Sequence, residues 1–131
     1  MDDCFTDDSC GIIQRYAHHP KVSRVLLNET NSGSTFRQWE KGISYTRGQW
    51  IWIAESDDWC EKDFLSTLMA GIQDHPNAVL AFAQSYIINE AEEVRGITKH
   101  KLLHEVLDGP EYVKKMLSKG NSVFNASMAV I

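Results

Sequence analysis

The stretch Gly48-Gln49-Trp50-Ile51-Trp52-Ile53-Ala54-Glu55-Ser56-Asp57-Asp58-Trp59 passes from a turn residue through an apolar run into a cluster of acids. Residues 49–54 carry bulky apolar side chains at odd and even positions alike, which predicts a buried strand. Acids directly behind such a strand carry weight, because in doubly wound sheets ligands sit beyond the carboxyl ends of the strands.

Outward from this stretch, helices and strands alternate. Ile12, Ile13, Tyr16 and Ala17 fall at helical spacing over residues 9–18, with Thr6, Asp7, Asp8 and Ser9 as N-cap candidates. Residues 22–27 are β-branched and short and run into the turn-rich segment 28–33, which reads as a strand entering a loop. Gly33 fits a left-handed turn. A helix over 34–46 would bury Phe36, Trp39 and Ile43 and stop at Gly48. Phe64, Leu65, Leu68, Met69 and Ile72 mark another helix from about residue 62, ended by His75-Pro76, and residues 78–83 form the next strand. Residues 87–107 are charged and irregular, as a surface excursion would be. Pro110 opens a helix through Tyr112, Val113, Met116 and Leu117 that Gly120 closes, and residues 126–131 look like a final strand. The expectation is an α/β fold, a mainly parallel sheet with helices on both faces. No repeat, low-complexity tract or linker divides residues 1–131, so one domain is expected. The chain begins on an acidic pair and stops within an apolar strand, so this domain is expected to be incomplete.

Composition narrows the function. The 131 residues are 43% hydrophobic, enough for one core without a metal or disulfide staple. No apolar run approaches the roughly 20 residues that span a bilayer, and the N-terminus lacks the basic and apolar segments of a secretory signal. Three cysteines, Cys4, Cys10 and Cys60, have no CxxC pairing and read as reduced thiols, which points to the cytoplasm. The net charge of −5 argues against broad nucleic-acid binding. A phosphate ligand would need that charge inverted locally.

A cation can do this. Asp2-Asp3 with Thr6-Asp7, and Glu55-Ser56-Asp57-Asp58, are both expected at the ligand edge of the sheet, where several carboxylates repel one another unless a hard divalent ion such as Mg²⁺ or Mn²⁺ joins them. Asp57 and Asp58 would equally favour the N-terminus of the following helix. His100 and His104, with Asp108 one turn on, have the spacing of a zinc site. Trp50 and Trp52 belong to a strand, whereas Trp59 stands beside the acids and is the tryptophan to test for stacking on a sugar.

The acidic loop Glu55-Ser56-Asp57-Asp58-Trp59 resembles the aspartate-any-aspartate-aspartate loop of the family 2 glycosyltransferases. So does more of the chain, in the same order: Asp2-Asp3-Cys4-Phe5-Thr6-Asp7 is similar to the family's acidic turn, Asn31-Ser32-Gly33 with Arg37 and Gly42-Ile43 to its central motif, and Gly48-Gln49-Trp50-Ile51 to the lead-in to its metal-binding strand. Asn125-Ala126-Ser127-Met128 is a looser match. The resemblance implies a GT-A fold, a nucleoside-diphosphate-sugar donor such as a UDP- or dTDP-sugar, and a saccharide or lipid-linked acceptor. It also implies a divalent metal and inverting transfer, in cell-surface polysaccharide or glycoconjugate synthesis at the cytoplasmic side of the membrane. Asp3 would then hydrogen-bond the base, Arg37 would lie near the nucleotide, Asp57 would face the ribose or metal, and Asp58 would ligate the metal. Chemistry agrees: a carboxylate accepts a ring N–H, a guanidinium suits a pyrophosphate, and a metal-bound diphosphate leaves more readily. Glu55 departs from the usual aspartate.

The family's carboxylate base is expected beyond Ile131, so no catalytic residue is assigned, and the chain alone is expected to be inactive. The rival is a nucleotide-sugar-binding piece without turnover. A receiver domain lacks support, since no strand precedes the acidic pair and no lysine follows the last strand. An EF-hand at residues 3–11 fails for want of its closing glutamate.

Overall fold

The computed structural model describes residues 1–98 and 106–131, so His100 and His104 lie outside the described residues. The chain forms two compact units, Met1–Gly48 and Gln49–Ile131.

In the first unit, helix α1 is Ser9–Arg15. It is shorter than expected because residues 16–19 wind into successive turns, with the Tyr16, Ala17 and His19 amides donating to Ile13, Gln14 and Tyr16. The predicted strand at 22–27 forms a single parallel rung, Leu27 with Asp2. Gly33 adopts a φ of +69°, the left-handed turn expected of it. Helix α2, Thr35–Ser44, turns its faces differently from the apolar pattern. Phe36 is 74% exposed, whereas the polar Gln38 is only 9% exposed. The reason is local: Gln38 donates to Asp3, and that bond draws the polar face of α2 inward. Phe36 and Trp39 instead meet edge to face on the outer side, 5.2 Å apart.

The second unit is built around a three-strand core. Strands β1 (Ala81–Phe82) and β4 (Ala129–Val130) pair antiparallel. On the other side of β4, Ile51 and Ile131 exchange both backbone hydrogen bonds, at 2.8 and 3.1 Å, and Trp52 bridges Val130 antiparallel. Residues 51–52 and β1 therefore run in the same direction with β4 inserted between them. Helix α3, Phe64–Asp74, connects the two outer segments, which makes a split βαβ unit. The mainly parallel sheet expected from the alternation is not what the described strands show. The outer pair has the predicted sense, but the strand that fills the slot comes from late in the chain and runs the other way.

Val130, Met128, Ala129 and Ile72 are the buried apolar residues of this core. Phe64 packs against Trp52, and Tyr112 of α4 (Gly109–Lys115) against Phe82. Pro110 sits in the first turn of α4, where its missing N–H costs nothing. Beyond a 3₁₀ turn at Leu117–Lys119, Gly120 takes a φ of +155° and ends the segment.

The stretch read as irregular contains a hairpin. β2 (Tyr86–Ile88) and β3 (Val94–Ile97) pair antiparallel with a bulge. Asn89 Oδ1 accepts from the Ala91 and Glu93 amides, and the Asn89 main-chain carbonyl accepts from the Glu92 amide, which closes the turn. Glu90, Glu92 and Glu93, three of the charges that suggested irregularity, lie in that turn, while Ile87, Ile88, Val94 and Ile97 carry the strands. Ile72, 6% exposed, is the buried residue of α3. Ile72→Ala is expected to lower the unfolding free energy by about 2–5 kcal/mol in urea denaturation. Val79→Ala, at an exposed position, should stay within about 0.5 kcal/mol of the parent.

Candidate functional site

The direction of β4 decides what stands at one end of the core. Residues 51–52 and β1 deliver their carboxyl ends there, and β4, running opposite, delivers the residues before it. The loop after the first of these segments is Glu55-Ser56-Asp57-Asp58, a turn closed by the Asp58 amide donating to the Glu55 carbonyl at 3.3 Å. The segment before β4 holds this turn. Ser127 Oγ accepts from the Glu55 amide at 2.9 Å, and the Ser127 carbonyl accepts from Trp52 Nε1 at 2.9 Å. Asn125 Oδ1 takes the Met128 amide at 3.0 Å, capping the 3₁₀ turn Ala126–Met128. That bond fixes the amide's orientation, so Nδ2 points to Asp58 Oδ2 at 2.9 Å. Sequence reading rated this segment the loosest of its matches. Its polar pattern Asn-x-Ser ahead of an apolar strand was the available signal.

A cavity of about 410 Å³ opens beside the turn, within the range of small-ligand sites. Asp57, Asp58, Glu61 and Asp63 line it, and no Lys, Arg or His is among its described lining residues. Trp59 and Tyr86 stand on the same wall with nearly parallel rings, 6.1 Å apart at 21°. Glu55 records the local potential: partial burial pushes its carboxyl up from the ordinary range, and the charges of Asp58 and Asp57 push it further.

Among the described residues no group of three or more His, Cys, Asp or Glu converges as a metal site. Asp57 and Asp58 are exposed carboxylates in a negative field. Such a pair fits an ion like Mg²⁺, which takes one or two protein carboxylates and completes its shell with water and substrate phosphates.

The other acidic cluster belongs to the first unit. Asp2 is buried, and its Oδ1 accepts from the Cys4 and Phe5 amides and from Cys10 Sγ. That hydrogen bond and burial raise the Cys10 thiol's pKa, and all three cysteines are free. Asp3 Oδ1 accepts from Asn28 Nδ2 at 2.6 Å, the Ser32 amide at 2.8 Å and Gln38 Nε2 at 2.6 Å; Oδ2 accepts from Ser32 Oγ at 2.7 Å. Desolvation works against its ionised form, but the Ser32 and Asn28 bonds and the Lys41 charge outweigh it and hold the pKa below the ordinary value. Lys41 reaches Asn28 and so backs the network. Arg37 is exposed and donates to the Ser32 carbonyl at 3.1 Å. Asn28, Ser32 and Gln38 were not singled out as a set from the sequence, because only the fold brings residues 25 to 35 positions away onto one carboxylate.

The glycosyl transferase family 2 model matches residues 1–129. The chain belongs to this family. Membership brings with it the GT-A fold. The poly(ribitol-phosphate) beta-N-acetylglucosaminyltransferase TarS of two Staphylococcus aureus strains, Mu50 and MW2, is 32% identical over 82 residues, 61% of this chain. The uncharacterized protein y4gI of Sinorhizobium fredii is 26% identical over 129 residues, 97% of this chain. The chain spans 14% of the length of each of these relatives. No solved structure matches it significantly. No helix among the described residues is long and apolar enough to cross a membrane.

Two measurements test this geometry. Ser127→Ala strips the Glu55 amide of its acceptor and is expected to cost about 1–3 kcal/mol of stability in denaturant unfolding. Glu55, whose pKa is raised, binds its proton more tightly folded than unfolded. Its contribution to stability is therefore present in full below the ordinary glutamate value and is lost as pH rises through the raised one. Carboxyl NMR titration should find Glu55 above the ordinary range, and nearer to it in Asp58→Asn.

Proposed function

We propose that the chain is the donor-side part of a glycosyltransferase that moves a sugar from a nucleoside diphosphate to an acceptor hydroxyl with inversion. Within a chain of this family, the observation that carries the reading is the Glu55–Asp58 turn, clamped by Asn125 and Ser127 at the rim of a cavity lined by acids. In this reading Asp58, with Asp57, holds a divalent cation, Mg²⁺ or Mn²⁺, and Asp57 also faces the ribose. Such a cation, when bound, offsets the charge of the departing diphosphate.

Asp3 is proposed to accept the N–H of a uracil or thymine ring. Its low pKa supports the role, since an ionised carboxylate is the better acceptor. Arg37 is proposed to lie along the nucleotide, where its guanidinium matches phosphate or ring carbonyl oxygens. The general base is assigned to no residue. Similarity to a transferase named for β-N-acetylglucosaminyl transfer to poly(ribitol-phosphate) supports a polymer as acceptor, proposed to be a cell-surface polysaccharide or glycoconjugate. The free thiols Cys4, Cys10 and Cys60 support a cytoplasmic location.

Calorimetry with UDP or dTDP tests the reading. Binding is expected with Mn²⁺ present, and to be lost in EDTA and in Asp58→Ala. Binding that ignores the metal, or none by a folded chain, would overturn it.

A further inference from the structure

The cavity beside the acidic turn has a second character that its carboxylates do not explain. Trp59 and Tyr86 are 57% and 49% exposed although their rings stack on each other, so aromatic surface stays open to a ligand. Tyr86 pairs with Ile97 across the β2–β3 hairpin, and Ile88 and Ile97 line the same cavity, which extends the apolar surface from the rings along the hairpin. Gln84 and Ser85, just ahead of β2, add an amide and a hydroxyl to the lining. Four carboxylates and no cationic side chain among the described lining residues disfavour a free anion. A neutral ligand with one apolar face and hydroxyls at its edge suits every part of this wall: C–H groups against the rings, hydroxyls to the amide, the hydroxyl and the acids.

We infer that Trp59 and Tyr86 form a shelf on which a neutral pyranose ring stacks, and that this shelf is the subsite for the saccharide acceptor. The acceptor role rests on the glycosyltransferase reading, whereas the affinity for a neutral sugar rests on the cavity alone. The shelf therefore takes sugar with neither metal nor nucleotide present.

Saturation-transfer NMR on the chain in EDTA, with methyl β-D-glucopyranoside and methyl N-acetyl-β-D-glucosaminide as probes, tests this. Transfer is expected to the ring C–H protons of at least one probe. Trp59→Ala and Tyr86→Ala are each expected to weaken binding about three- to tenfold, and Tyr86→Phe, which keeps the ring, to retain it. No transfer to the folded chain, transfer only when UDP and Mn²⁺ are added, or affinity unchanged in both alanine variants would overturn the shelf. So would equal loss in Tyr86→Phe. UDP–Mn²⁺ calorimetry on the unsubstituted chain separates the two ideas. Sugar binding without nucleotide binding keeps the shelf and removes the acceptor role, and the reverse removes the shelf while leaving the transferase reading intact.

Discussion

β4 is hydrogen-bonded on both flanks, to β1 on one side and to Ile51 on the other, and its Val130 is only 2% exposed. Its antiparallel direction is the constraint on which the site depends. A parallel strand in the same slot would bring its own carboxyl end to the rim of the cavity. Because β4 runs the other way, it brings the residues that precede it, and Asn125 and Ser127 arrive where Glu55 and Asp58 need partners. The turn is thus held by the packing of the core. Disturbing β4 would loosen the acids, because the residues that hold them directly precede it in the chain.

The chemistry of that clamp matters as much as its position. Asn125 and Ser127 are neutral, so they orient the turn without cancelling its charge. A lysine in place of Asn125 would hold Asp58 as firmly but would form an ion pair and remove the negative potential that a cation needs. The raised pKa of Glu55 is the mark of that uncancelled field. Neutral anchoring of an anionic turn is expected where the charge is kept for a ligand.

The sequence told where the helices lie and which acids follow a strand, because helical periodicity and strand-then-acid order are local signals. The four α-helices among the described residues occur near their predicted places, and the turn at Asp57-Asp58 sits where the apolar run ends. What was not legible depended on partners remote in sequence. The two-residue strand β4 carries no periodicity that says between which neighbours it lies, or in which direction it runs. Gln38 breaks the apolar pattern of α2, and only its bond to Asp3, 35 residues away, explains why a polar residue is buried there. The hairpin was hidden by the opposite error, the glutamates of a five-residue turn and the charges at Arg95 and beyond it outweighing the few apolar residues of two short strands.

Asp3 and Asp58 show how differently one residue type can be held. Asp58 is shown with one side-chain partner, on Oδ2, and is exposed, so its other oxygen keeps both lone pairs. Asp3 Oδ1 already accepts three hydrogen bonds, about the limit for one carboxylate oxygen, and Oδ2 accepts one more. An external donor can therefore approach Asp3 only at Oδ2, beside the Ser32 hydroxyl. The donors on Oδ1 fix the plane of the carboxylate, and with it the direction from which a ring N–H would have to come. A rigid acceptor with one open lone pair discriminates by geometry, whereas a lightly held carboxylate like Asp58 can adapt to an ion's coordination shell. The same acidic side chain is held rigidly in one unit and left lightly bound in the other, and the number of neutral donors around each makes the difference.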